Sequence, residues 1–220
     1  MNLELKKELP IIGIVMIPYV YLAFIWNSLP ERVPIHWNMN GQIDDWGSKA
    51  FLIVLVFLLP VLTYAIMSSA ALLDPKKRLS LMGKKFYQLK FFMVLFMSLL
   101  ALFLLYVTKN QSVSNPNLIY VLAGILIMVL GNYFKVIQPN YFIGIRTPWT
   151  LENQEVWKAT HAFAGKLWFV GGIIIILGGL IFSGFVFSKA FVTIGIVLAF
   201  VPVAYSFIKF KQLEKKQGKL

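Results

Sequence analysis

Six apolar runs, each long enough to cross a lipid bilayer as a helix, leave this chain few folds to adopt. They lie at roughly 9–28, 51–73, 89–108, 117–134, 164–187 and 190–208. A hydrocarbon core of about 30 Å takes about 20 helical residues to cross. Within it, backbone N–H and C=O groups find no water and must be satisfied by the chain itself. The expectation is an all-α membrane protein, a six-transmembrane helix bundle. Composition agrees: 59% of residues are hydrophobic and 14% charged, against about 45–50% and about 25% in soluble domains. The first run follows Lys6 and Lys7 as a signal peptide would. It is long, however, contains Pro10 and Pro18, and ends Trp26-Asn-Ser-Leu-Pro30 without a small-x-small cleavage pattern. It reads as a retained first span.

Charge sets the orientation. With the runs alternating in direction, all but four of the 21 Lys and Arg fall on one side; the other side holds Arg32, Lys49, Lys109 and Lys189. Cytoplasmic loops collect Lys and Arg, so both termini are expected in the cytoplasm, the 29–50 loop outside and the 135–163 loop inside. The net charge of +12 is then the mark of loops facing anionic lipid, with no direct role for nucleic acid. The chain divides into an N-terminal membrane domain at 1–74, a basic cytoplasmic loop with the third span at 75–116, and a C-terminal domain at 117–220. No Cys is present, which excludes disulfides, thiolate metal sites, a Cys nucleophile and a lipoprotein anchor.

Away from their ends the runs hold no Asp, Glu, Lys, Arg or His. Ionisable groups in spans mark proton relays and ion pathways, so a proton-coupled pump is disfavoured. Pro60 and Pro202 are expected to bend the second and sixth spans. Gly165, Gly172, Gly179 and Ser183 recur on one face of the fifth. Small residues let helices approach closely in lipid, either within one chain or across a dimer seam, and the first is favoured.

Two loops carry what chemical content the chain has. In the outward loop, Val33, Ile35 and Trp37 alternate with Pro34 and His36, suggesting a short extended segment before an Asn40-Gly41 turn. His36, Trp37, Asn38, Asp44, Asp45 and Trp46 form its candidate partner surface. One His and two adjacent Asp match neither zinc nor EF-hand spacing, so no metal is assigned; Asp44 or Asp45 is expected to satisfy backbone donors. In the inward loop, Gly131-Asn132 suits a helix C-cap, and Gln138-Pro139-Asn140 an extended or turning backbone. Gly144 permits close backbone approach beside Arg146, whose planar fork can hold a phosphate, a carboxylate or loop carbonyls. Asn153 is a candidate N-cap with Glu155 in the first helical turn. Trp157 and His161, four apart, share a face, which makes His161 a packing residue.

The two loops together resemble the SdpI family of bacterial immunity proteins. The inner motif is Asn140-Tyr-Phe-Ile-Gly144-Ile-Arg146-Thr147-Pro148-Trp149-Thr150-Leu151, followed by Val156-Trp157. The outer motif is Pro34-Ile-His36-Trp37-Asn38 with Gly41, Asp44 or Asp45, and Trp46-Gly-Ser-Lys49. It resembles a small membrane domain of unknown function that commonly precedes the first. The resemblance implies a multi-pass protein of the bacterial cytoplasmic membrane that protects the cell from a secreted SdpC-like peptide toxin. It also implies a signalling role, in which an SdpR-like repressor is held at the membrane. Asn140, Gly144, Arg146, Thr147, Pro148, Trp149, Thr150 and Trp157 are the docking candidates on the cytoplasmic side.

No cofactor is implied, and an enzyme is not expected. The two His, His36 and His161, are assigned to opposite sides of the membrane. There is no His-Glu-x-x-His, no Gly-x-Ser-x-Gly and no phosphate-cradling Gly loop. A second reading stays open: a transporter or lipid-handling protein serving envelope stress. Three spans with a loop after the first recur as three more, and an odd number per half would invert the repeat.

Overall fold

The computed structural model describes residues 3–38, 42–75, 77–112, 117–182 and 184–216. The Asn40-Gly41 turn, Ser183 of the glycine face, and Lys76 and Lys219 of the charge count lie outside the described residues. The chain forms two compact units, Met1–Ser69 with Phe86–Pro116, and Ala70–Lys85 with Asn117–Leu220.

In the first unit, helix α1 (Leu3–Ile25) runs through Pro10 and Pro18 into a 3₁₀ turn at Trp26–Ser28. An antiparallel hairpin follows, β1 (Arg32–Trp37) paired with β2 (Ile43–Ser48). The extended segment expected at 33–37 is thus one strand of a pair, and its partner is the Asp44-Asp45-Trp46 stretch. The second span divides into α2 (Phe51–Val56), a π-helical turn at Phe57–Val61, and α3 (Leu62–Leu73). Pro60 accounts for the widening. It has no N–H to offer Val56, and the ladder resumes when the Leu62 N–H bonds the Phe57 carbonyl, five residues back. Helix α4 (Arg78–Leu81), a single turn, belongs to the second unit, and α5 (Lys84–Asn110) covers the third apolar run. Val33 of β1 is wholly buried with Leu22, Ile25, Leu29, Leu52, Val56 and Leu105, so the hairpin is seated on the helix ends by its apolar face.

One polar contact inside this unit qualifies the expectation that charge stays at the span ends. Lys90 of α5 is only 7% exposed, and its Nζ lies 2.6 Å from Glu8 Oε1 of α1. The ammonium also sits over the Tyr64 and Tyr87 rings, at 5.4 and 5.9 Å. Two opposite charges and two aromatic faces replace the water lost on burial.

In the second unit, α6 (Leu118–Phe134), α7 (Pro148–Glu152), α8 (Gln154–Ile181) and α9 (Gly184–Lys216) pack around α8. The glycine face of α8 meets α6 within the chain. A Cβ on Gly165 would lie 2.7 Å from the Gly131 carbonyl oxygen, and one on Gly172 would lie 2.6 Å from that of Gly124. Each step of seven up α8 meets a step of seven down α6, so the helices are antiparallel and almost in backbone contact. This corrects the reading of Gly131-Asn132 as a helix end. Gly131 lies inside α6, which runs on to Phe134, because close approach to α8 needs the missing Cβ. A short helix, α7, precedes α8, with Pro148 at its first position.

Helix α9 carries Pro202, which leaves the Leu198 carbonyl without its intrahelical donor. The Trp168 indole N–H of α8 donates to that carbonyl at 2.8 Å. Phe163 of α8 and Tyr205 of α9 stack at 4.4 Å.

Among the described residues, five helices are long and apolar enough to span a bilayer: Lys6–Ser28, Phe51–Leu73, Lys84–Asn110, Gln154–Ile181 and Val186–Lys216. The apolar helix Leu118–Phe134 is shorter. Only 17% to 39% of each spanning window is buried. The remaining apolar surface is far more than a water-soluble chain exposes, and lipid is the solvent that suits it.

Candidate functional site

The loop between α6 and α8 is held by polar side chains and a glycine of positive φ. Asn140, 2% exposed, uses its whole amide. Oδ1 accepts from the Phe142 and Ile143 N–H groups at 2.8 and 2.7 Å, and Nδ2 donates to the Gln138 and Ile143 carbonyls at 2.8 and 3.1 Å. Arg78, from the basic segment, donates to the Pro139 carbonyl at 3.0 Å. The chain then turns at Gly144, φ 113°, a conformation that L side chains rarely adopt. A Cβ there would also stand 2.5 Å from His161 Nε2. Glycine is therefore required twice, for its dihedral angle and for its size.

His161 is the far anchor of this turn. Its Nε2 accepts from the Ile145 N–H at 3.0 Å, and Nδ1 lies 2.9 Å from the Trp157 carbonyl. An imidazole that accepts at Nε2 must carry its proton on Nδ1 to bond that carbonyl, so the two partners fix the tautomer. Trp157 stacks on the imidazole at 4.0 Å and donates through Nε1 to the Ile137 carbonyl at 2.8 Å. Both rings are 1% exposed. His161 is a packed residue, as its spacing from Trp157 suggests, and it also closes the loop.

Thr147 and Thr150 start α7. The Thr147 N–H donates to Thr150 Oγ1 at 2.9 Å, and the single Thr150 hydroxyl proton is shared between the Ile145 and Thr147 carbonyls, at 2.9 and 3.0 Å. Threonine thereby fills the Glu or Gln place in a reciprocal cap, and Pro148 fits the first helical position, where no N–H is needed. Asn153 caps α8 through Oδ1, accepting from Glu155 and Val156. The Arg146 guanidinium donates to the Tyr141 carbonyl while the side chain remains exposed. Of the alternatives for its fork, a loop carbonyl is the contact made. Trp149 turns away toward α9, where Nε1 donates to Ser206 Oγ at 2.8 Å and the ring meets Phe207 and Phe210.

Most of the inward candidates thus meet in one loop. Asn140, Gly144, Arg146, Thr147, Thr150 and Trp157 build its turns, and Trp149 ties it to α9. Sequence reasoning missed Arg78, Trp168 and Ser206. Ser206 had a signal, being one of few hydroxyls in an apolar run, but its partner Trp149 is 57 residues away.

The hairpin gathers the outward candidates differently. His36 Nδ1 and Asp44 Oδ1 are 2.5 Å apart across the strands, at a register shift that brings His36 opposite Asp45. Asn38 and Gln42 close the described end through backbone and side-chain bonds. Asp45 accepts from the Trp46 N–H at 2.8 Å, meeting the expectation that one of the Asp pair satisfies a backbone donor. Lys49 pairs with Glu31 at 2.8 Å and lies over the Trp26 ring at 5.1 Å. Trp46 is 39% exposed, whereas the Trp37 indole nitrogen is buried with no partner among the described residues. No group of three His, Cys, Asp or Glu that could hold a metal occurs among the described residues.

Long apolar helices with one ordered polar segment in each unit define an α-helical membrane protein. The sequence relationships agree and narrow the class. Residues 136–207 match the SdpI/YfhL protein family, and residues 13–63 match a domain of unknown function, DUF1648. The immunity protein SdpI of Bacillus subtilis (strain 168) is 30% identical over 173 residues, covering 78% of this chain and 80% of that protein. The chain belongs to the SdpI/YfhL family. No solved structure matches it.

Proposed function

We propose that this protein is a multi-pass immunity protein of the bacterial cytoplasmic membrane, protecting its cell against a secreted SdpC-like antimicrobial peptide. The observation that carries the reading is the 30% identity to immunity protein SdpI over most of both chains. In this reading α6 counts as a sixth span beside the five longer helices, and the Lys and Arg distribution puts both termini in the cytoplasm. The β1–β2 hairpin then faces outward, offering Trp46 and the His36–Asp44 pair to the toxin. The loop around Arg146 faces inward and serves as the docking surface for an SdpR-like repressor.

Deleting the gene and titrating the cells with the cognate toxin tests the first part. Sensitivity should rise, and complementation should restore resistance; unchanged sensitivity overturns it. Fractionating cells before and after toxin exposure tests the second. The repressor should move to the membrane fraction only when the protein is present and toxin is added.

A further inference from the structure

A lateral groove runs along the α6–α8 pair in the second unit. It has a volume of about 610 Å³, within the range of about 300–1,000 Å³ common to small-molecule sites. Its floor is formed by Gly131 and Gly165, the pair whose missing Cβ atoms bring the helices together. Phe169 and Val170, both exposed, form an apolar wall. The rim is polar, with Asn132 and Lys135 at the end of α6 and Lys166 one residue beyond Gly165 on α8. Gly165 lies opposite Gly131 on the antiparallel helices, so Lys166 stands about 7.5 Å along the groove from Lys135, a separation that two lysine side chains can close around one headgroup. Neither has a carboxylate partner among the described residues.

We infer that this groove binds one anionic phospholipid, with its phosphate between Lys135 and Lys166 and an acyl chain along Phe169 and Val170. Two uncompensated cations beside an apolar trough complement an amphipathic anion: the lysines neutralise the headgroup, and the trough takes hydrocarbon. A free phosphate would leave the trough unfilled, and an uncharged lipid would leave the cations unpaired. The inference rests on α6 and α8 lying in the membrane, and it stands independently of any toxin.

The test uses the full chain in a mild nonionic detergent, with bound lipid counted by native mass spectrometry. Dioleoylphosphatidylglycerol should be retained at one per chain, in at least threefold preference to dioleoylphosphatidylcholine, and excess inorganic phosphate should not displace it. The Lys135→Gln/Lys166→Gln variant should lose that preference; both side chains are exposed, so its melting temperature should match wild type. Lys215→Gln/Lys216→Gln, which removes the same charge elsewhere, should retain it. Val170→Trp, which keeps the charges and fills the trough, should lose the lipid. Equal retention of the two lipids, displacement by phosphate, retention in the Lys135/Lys166 or Val170 variant, or equal loss in the Lys215/Lys216 variant would each overturn the inference.

Discussion

At the scale of single residues, the inward loop depends on groups with no freedom left. Gly144 combines a φ of 113° with a space that a methyl group would share with His161. Gly144→Ala should lower stability by about 1–3 kcal/mol, read as a fall in the apparent melting midpoint of the purified protein. Unchanged melting would show that the turn relaxes without loss. Arg146 is the opposite case, being exposed and bonded to a single carbonyl. Arg146→Ala should leave membrane abundance intact yet reduce toxin protection, and Arg146→Lys should restore it poorly, since an ammonium lacks the planar fork. Toxin titration normalised to the amount of protein in the membrane checks both. The type of residue at these positions could be read from the sequence: a Gly beside Arg146, a Thr-Pro turn, an Asn at a helix start. The partners could not. That the Ile145 N–H ends on His161, 16 residues on, follows from how α8 lies against the loop.

Elements are joined in the second unit by two devices, small residues and rescued carbonyls. Gly172 faces the backbone of α6, where a Cβ would meet the Gly124 oxygen and the Met128 nitrogen, both at 2.6 Å. Backbone cannot swing aside as a side chain can. Gly172→Ala should therefore separate the helices and destabilise by about 1–3 kcal/mol, seen as a lower melting midpoint. The spacing of Gly165, Gly172 and Gly179 announces such a face, but only the fold shows that α6 supplies the matching one through Gly124 and Gly131. Trp168→Phe removes the donor to the carbonyl that Pro202 leaves free. Buried in apolar surroundings without water, that carbonyl should cost about 1–2 kcal/mol. The paired change Trp168→Phe with Pro202→Ala should recover part of the loss, because the helix then satisfies itself. A full loss in the double variant would disprove this account of the bond.

For the whole molecule, the absence of cysteine makes sidedness directly measurable. Asp45→Cys in the hairpin should react with a membrane-impermeant maleimide in intact cells. Glu152→Cys at the end of α7 should react only after the membrane is permeabilised. The reverse pattern would invert the topology, and labelling of both in intact cells would remove the inward assignment of the Arg146 loop.

The membrane class of this protein was determined by the sequence alone. The requirement imposed by lipid is local: each run of about 20 apolar residues meets it or fails by itself, whatever the other runs do. The loop motifs and the resemblance they carry were legible for the same reason, as contiguous strings. Tertiary structure decided what each loop is made to hold. It paired Asp44 with His36 across a hairpin, placed Gly131 inside a helix instead of at its end, and buried Lys90 against Glu8. These outcomes depend on atoms far apart in the chain meeting within about 3 Å, and hydrophobic periodicity specifies a face without naming the neighbour that covers it.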